Sequence, residues 1–141
     1  AIAEAAKSIA ILQSPSMSLA VNIAMDLVGR AGGLLARVGG RTDVEIVECH
    51  HRHKEDAPSG TALKFGAIVQ EAMGQTKAAH AGQEAAGTAH EILFGMDGES
   101  FSVNVRATSR DCYARGALAA ARFLVGKPAG LYSMRDVLGI A

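Results

Sequence analysis

The stretch "DVEIVECHHRHKEDAPSGTALKF", Asp43 to Phe65, decides how this chain reads. Its first part, Asp43 to Cys49, alternates charged and apolar residues with period two, the pattern of a strand with one face buried. Such a strand delivers His50 and His51 at its C-terminal end, with side chains starting on opposite faces. His53 and Lys54 follow in a connecting loop. Pro58-Ser59-Gly60-Thr61 then opens a helix, with Ser59 as its N-cap and Ala62, Phe65, Val69 and Met73 as its apolar stripe. A strand end, a loop carrying histidines, Arg52 and Lys54, and a helix start therefore converge in one short segment.

Working outward, the first residues "IAEAAKS" read as a helical turn or two, and Ile9 to Gln13 as a short buried strand. "SPSMS", Ser14 to Ser18, is a loop. Leu19, Ile23, Leu27, Ala31, Leu34 and Leu35 recur at three- and four-residue steps and predict a helix that Gly39-Gly40 stops. Downstream, "GQTKAAHAGQEAAG" (Gly74 to Gly87) is small, polar and aperiodic, so a loop is expected. "HEILFG" and "SFSVNVRA" read as two strands joined at Asp97-Gly98, a hairpin signal. Tyr113 to Gly126 predicts a helix with Ala117, Ala121 and Leu124 on one face, and Ser133 caps a last helical turn. The result is a mixed α and β domain with at least three strands and three helices. "GRAGG", Gly29 to Gly33, falls late in a helix rather than between strand and helix, so it is no dinucleotide fingerprint.

Composition narrows the function classes. The 141 residues suffice for one domain with its own core, and 49% apolar with 20% charged residues is a globular balance. A formal net charge of zero gives no bulk field toward nucleic acid or an anionic membrane. No apolar run approaches the roughly 20 residues a bilayer span needs, and the N-terminus has no cationic region followed by an apolar one. Cys49 and Cys112 are far apart, which suggests two buried thiols in a reducing compartment. The isolated His80 and His90 read as structural or solvated residues.

The loop and helix start carry the chemistry. A helix N-terminus offers unpaired N–H donors and the positive end of the helix dipole, which attract carboxylate or phosphate. Ser59 and Thr61 add hydroxyls, and Gly60 permits close approach to the backbone. Lys54 supplies a cation, and a histidine there can exchange a proton near neutral pH. These residues suggest a small anionic substrate and acid–base chemistry. Two other readings compete. One is a metal site drawing on the histidines with Glu48 and Cys49, opposed by Arg52, Lys54 and the divergence of adjacent histidines. The other is a solvated basic loop in front of a capped helix.

The segment Glu48 to Leu63 closely resembles the signature of the bacterial dihydrodipicolinate reductase family, Glu-x-His-His-x-x-Lys-x-Asp-x-Pro-Ser-Gly-Thr-Ala, with every fixed position matched from Glu48 to Ala62. "SPSMSLAVN" resembles the family's loop from the nucleotide-binding domain into the substrate domain, and Ala107 to Gly139 resembles its C-terminal segment. The resemblance implies an α+β fold, with a mixed β-sheet and helices packed on one face. It implies NADPH- or NADH-dependent reduction of 4-hydroxy-tetrahydrodipicolinate in lysine biosynthesis, a cytoplasmic location and a homo-oligomer, a tetramer in the family. His50 takes the position of the proton donor and acceptor, and Lys54 that of the second catalytic residue. His51, Ser59, Gly60 and Thr61 take substrate-binding positions, and Ser14, Pro15, Ser16 and Met17 the loop beside the nicotinamide. Arg110 and Tyr113 are expected to face the same cleft, and no residue is assigned to a metal.

This chain departs from the family in two ways. Most of the Rossmann domain is missing, so the chain reads as a fragment. Residues 1–16 are a remnant of that domain, 17–126 the substrate-binding and oligomerisation domain, and 127–141 a segment returning toward the missing part. The two ends are expected to fray or to pair with another copy. The family also carries an additional strand before "HEILF", where only "HAGQEAAGTA" remains. A non-catalytic domain that binds a small anion, or serves in oligomerisation on the same fold, is the alternative in a different class.

Overall fold

The structure is a computed structural model, and it describes residues 1–50, 58–74, 79–84 and 88–140. The elements in chain order are α1 (Ile2–Ala5), β1 (Ala10–Leu12), α2 (Leu19–Val38), β2 (Thr42–His50), α3 (Gly60–Met73), β3 (Ala79–Glu84), β4 (Thr88–Met96), β5 (Glu99–Ala107), α4 (Asp111–Leu124), β6 (Gly130–Tyr132) and α5 (Met134–Leu138). Two compact units result, one of residues 24–108 and one of residues 1–23 with 109–141.

The unit of residues 24–108 is built on a four-stranded sheet of order β3-β2-β4-β5. β3 runs parallel to β2, and the other pairs are antiparallel, so the sheet is mixed. Alternation in β2 puts Val44, Ile46 and Glu48 inside while Asp43 and Glu45 face solvent. On β4 the same face buries His90, Ile92 and Phe94. Phe65 and Val69 of α3 are fully buried with Ile46, Ile92 and Phe94, which makes these residues the core. Phe94 stacks on its cross-strand partner Phe101 with ring centroids 4.8 Å apart. The hairpin closes at Asp97-Gly98, where Gly98 takes φ +84°.

Three expectations change here. Gly74–Gly87 is not simply a loop, because Ala79–Glu84 forms β3, paired with β2 from Glu45↔Ala79 to His50↔Glu84. "AHAGQE" contains no β-branched residue, and an edge strand is held by one neighbour's backbone, which propensity does not register. The predicted stripe on α2 is also out of phase. Ile23, Leu27 and Leu34 are about half exposed, while Val21, Ala24, Met25 and Val28 are buried. Small residues set this phase: a Cβ at Gly29 would lie 3.3 Å from Ile68, and one at Gly32 3.1 Å from Ala72, so α2 meets α3 through glycine. Finally, α2 is long and apolar enough, by length and composition, to cross a membrane. Interspersed Asn22, Asp26 and Arg30 hide that from a search for unbroken apolar runs.

In the other unit the two end segments pair with each other. β1 and β6 are parallel, with Ala10↔Gly130, Ile11↔Leu131 and Leu12↔Tyr132 in register, and the Gln13 N–H donates to the Tyr132 carbonyl at 2.8 Å. The expected fraying is therefore replaced by an internal strand pair. α4 buries Gly116 and Ala120, whereas Ala117 and Ala121 are exposed, a shift of one residue from the predicted face. Alanine on every side of α4 gives no phase signal, and a glycine decides it: a Cβ on Gly116 would overlap the Met17 carbonyl oxygen. α5 starts at Ser133, whose N–H and hydroxyl both donate to the Asp136 carboxylate at 2.7 Å. Those two bonds hold the Asp136 carboxyl below its ordinary value.

Two glycine substitutions separate these roles. Gly116→Ala should destabilise the chain by about 2–3 kcal/mol, because the new methyl meets fixed backbone. Gly33→Ala, in the α2 interior with open space around it, should stabilise by about 0.5–1 kcal/mol. Urea unfolding of both variants checks this; a neutral Gly116→Ala contradicts the close approach of α4 to Met17.

Candidate functional site

The site grows from the inner face of β2. Glu48 and His50 are two residues apart, so alternation turns both toward the face that carries Ile46. Antiparallel register places His90 of β4 directly opposite Glu48. α3 starts at the same end of β2. Ser59 is its N-cap, with φ −66° and ψ 156°, and its hydroxyl accepts the Ala62 N–H at 3.1 Å.

A single carboxylate joins these parts. The Ser59 N–H donates to Glu48 Oε1 at 2.9 Å. Glu48 Oε2 lies 3.4 Å from His50 Nδ1 and 3.6 Å from His90 Nε2, and among the described residues no hydrogen bond reaches it. The Ser59 hydroxyl is 3.2 Å from His90 Nε2. The His50 and His90 rings meet edge to face with centroids 5.3 Å apart, and Phe65 flanks His90 at 6.0 Å. Glu48 and His90 are buried, and His50 keeps a small exposed edge. Burial alone would raise the Glu48 pKa. The hydrogen bonds from Ser59 and the two imidazoles outweigh it, and the carboxyl sits below its ordinary value of 4.5.

The α3 start provides the anion-attracting element. With the Ala62 N–H bonded to Ser59, the N–H groups of Gly60 and Thr61 have no acceptor among the described residues. Gly60 is exposed, and a Cβ built there would meet nothing within 4 Å, so a ligand can reach the backbone. His50 therefore shares one end of the sheet with a helix terminus whose Gly60 and Thr61 donors have no acceptor among the described residues.

Of the residues singled out by sequence, His50, Ser59, Gly60 and Thr61 come together in one unit. His51 and Lys54 lie outside the described residues. Ser14, Pro15, Ser16 and Met17 belong to the other unit. There the Ser14 hydroxyl donates to the Ser16 carbonyl at 2.9 Å, as does the Asn22 amide at 2.9 Å, while Pro15 is exposed. Tyr113 is half-buried and Arg110 exposed at the start of α4. Cys49 and Cys112 are free thiols.

Sequence reading gave Glu48 a role only in the competing metal reading and took His90 for a structural or solvated residue, yet both belong to this cluster. The signal for His90 was available in "HEILF", because alternation places it with Ile92 and Phe94 on the buried face. By distance, Glu48, His50 and His90 could hold a metal ion, their donor atoms lying within 4.8 Å of one another. Ser59 already engages Glu48 Oε1 and His90 Nε2, which favours an acid–base cluster.

The profile described as "Dihydrodipicolinate reductase, C-terminus" matches residues 20–138. Among similar proteins, the 4-hydroxy-tetrahydrodipicolinate reductases of Rhodopirellula baltica and Anaeromyxobacter dehalogenans are 45% and 41% identical, over 99% of this chain. That of Cupriavidus pinatubonensis is 42% identical, also over 99% of this chain. The chain spans only 58–60% of the length of these relatives. Their alignments run over 161 positions against the 141 residues here, so the relatives carry further residues inside the shared region. A solved structure, the dipicolinate-bound dihydrodipicolinate reductase of Paenisporosarcina sp. TG-14, has the same fold, with a TM-score of 0.74 at 21% identity over 91% of this chain and 54% of that one.

The lowered Glu48 pKa fixes a pH dependence. Its folded value lies below the unfolded value of 4.5, so its contribution is present above that pH and is lost as pH falls through the folded value. Glu48→Gln should therefore cost roughly 1–2 kcal/mol at pH 7, with the deficit shrinking below pH 4.5. Urea midpoints at the two pH values measure it; a deficit that does not change with pH would assign the loss to packing instead of charge.

Proposed function

The chain belongs to the dihydrodipicolinate reductase C-terminal family, and on that premise we propose that it carries the substrate-binding and acid–base part of a nicotinamide-dependent reductase acting on 4-hydroxy-tetrahydrodipicolinate in lysine biosynthesis. The carrying observation is His50, with Nδ1 3.4 Å from Glu48 Oε2, at the same end of the sheet as the Gly60 and Thr61 N–H groups, which have no acceptor among the described residues. A substrate carboxylate on that terminus gains charge-assisted bonds, with Lys54 as the cation of the site and His51 as a further contact. His50 exchanges a proton with the ring carbon next to the reduced position, and Lys54 with the helix start stabilises negative charge.

NADPH or NADH, when bound, would supply the hydride that reduces an α,β-unsaturated imine of the cyclic dicarboxylate. This chain's residues fit a contact with the nicotinamide ring and no cradle for the pyrophosphate. Ser14 to Met17 follow the carboxyl end of β1, beside its parallel partner β6, where ligands of α/β sheets are held. The strand-to-helix connections at 13–18, 51–59, 108–110 and 133 contain no glycine. Residues 1–16 and 127–141, joined through β1 and β6, are assigned to the nucleotide side of the enzyme, and 17–126 to the substrate side. The sheet face opposite α3 bears Glu45, Val47, Glu91, Leu93, Ser102 and Asn104, and is the surface for self-association into a homo-oligomer. The half-buried free thiols Cys49 and Cys112 suit a reducing cytoplasmic compartment.

Three measurements test this reading. Dipicolinate should bind the chain in titration calorimetry, and Lys54→Ala should weaken it by roughly 1.5–3 kcal/mol; unchanged affinity removes Lys54 from the site. In the reductase that contains this chain, His50→Ala should lower turnover by about 10²–10⁴-fold with nicotinamide affinity nearly unchanged. Normal turnover with altered nucleotide affinity would make His50 structural. Residues 1–141 alone should show no saturable NADPH fluorescence titration at micromolar concentration, and saturation there would contradict the missing phosphate cradle.

A further inference from the structure

Glu48 has no role in the chemistry described so far, yet its carboxylate lies against Ser59, His50 and His90. Only 5% of its surface is exposed. A buried carboxylate must be paired or neutralised, because an isolated charge away from water is strongly disfavoured. Among the described residues its neighbours are neutral or titratable: the Ser59 N–H on Oε1, and the His50 and His90 rings beside Oε2. On β3, the charged residue at the register position next to His50 is Glu84. If Glu48 served only to fix the helix start, one oxygen would be enough and the other would gain from facing water. Instead Oε2 is buried between two imidazole nitrogens.

We propose that Glu48 is the positioning residue of this site: it holds the His50 ring with Nδ1–H turned toward Oε2, leaves Nε2 as the atom that exchanges a proton, and ties that ring to the Ser59 start of α3. This rests on the acid–base reading of His50 given above. The Nδ1-to-Oε2 distance of 3.4 Å is longer than a hydrogen bond, and none is formed there among the described residues. When His50 gains a proton at Nε2 and becomes an imidazolium, attraction to the carboxylate strengthens, so Glu48 favours the state that forms during proton transfer. His90 limits how far the carboxylate can swing. Its Nε2 stands 3.6 Å from the same oxygen and 3.2 Å from the Ser59 hydroxyl, on the strand directly opposite. Ser59 completes the coupling, because the helix start that would receive a substrate carboxylate is bonded to the carboxylate that orients the histidine.

Nitrogen-15 NMR of the chain and kinetics of the reductase containing it test this together. In Glu48→Gln the volume and the acceptor for Ser59 remain and the charge is lost. The pH at which the His50 ring takes up its proton should fall by about one unit, and the Nδ1–H tautomer should no longer dominate. In the reductase, kcat should drop roughly 10–100-fold while KM for the dicarboxylate stays within about threefold. An unchanged His50 titration and tautomer, or a loss confined to KM, overturns the proposal. Should Glu48→Gln fail to fold, the unsubstituted chain decides, since His50 in the Nε2–H tautomer is incompatible with it. The two readings fail separately. Normal turnover in His50→Ala rejects the acid–base role, whereas the ring titration still reports whether Glu48 positions His50.

Discussion

The Ser59 N–H to Glu48 hydrogen bond, 2.9 Å long and buried, is the constraint on which the site depends. It fixes where α3 begins relative to the end of β2, two elements separated in sequence by residues 51–59. Without it the helix could start a residue early or late, and its free donors would point elsewhere. The bond also sets the register between local and non-local structure. Ser59 is a local cap for Ala62 and at the same time a partner of a strand residue and of a residue on the neighbouring strand. One short polar residue therefore serves helix, sheet and charge together, and it is buried in doing so.

The surrounding apolar core makes that arrangement rigid. Phe65, one and a half turns into α3, packs against His90, and Ile46, Ile92 and Phe94 continue the same layer away from the polar end. Interiors this dense transmit displacement, so a polar cluster at the edge of the core keeps its distances only while the core keeps its volume. The site is thus polar at one end and hydrocarbon at the other along a single sheet face. That division suits a ring system whose carboxylates need donors and whose ring must be shielded from water.

Much of this was legible in the sequence where the periodicity was clean. Asp43–Cys49 alternates without a break, and Pro58-Ser59-Gly60 announces a helix start with its cap, so β2 and α3 could be read directly. Legibility failed where small residues carry the contact. α2 and α4 turn Gly32 and Gly116 toward their neighbours, and neither residue registers as hydrophobic. The large side chains Ile23, Leu27 and Leu118 then sit on the outside, where a pattern search places the core. β3 escaped because its sequence carries no strand signal, while its pairing to β2 is a backbone register that propensity does not record. Glu48 and His90 were in view as letters, but only the antiparallel register of β2 with β4 makes them neighbours.

The pairing of β1 with β6 has a kinetic meaning. Leu12 and Tyr132 are adjacent strand residues with nearly the whole chain between them. Closing a flexible loop of that length costs only roughly 2 kcal/mol more than closing one of about ten residues, yet the search is long while the intervening chain is extended. Once residues 24–108 collapse into their own compact unit, the effective loop shrinks to the span of that unit. The β1–β6 pair is thus a long-range contact whose closure costs less chain entropy once residues 24–108 are compact.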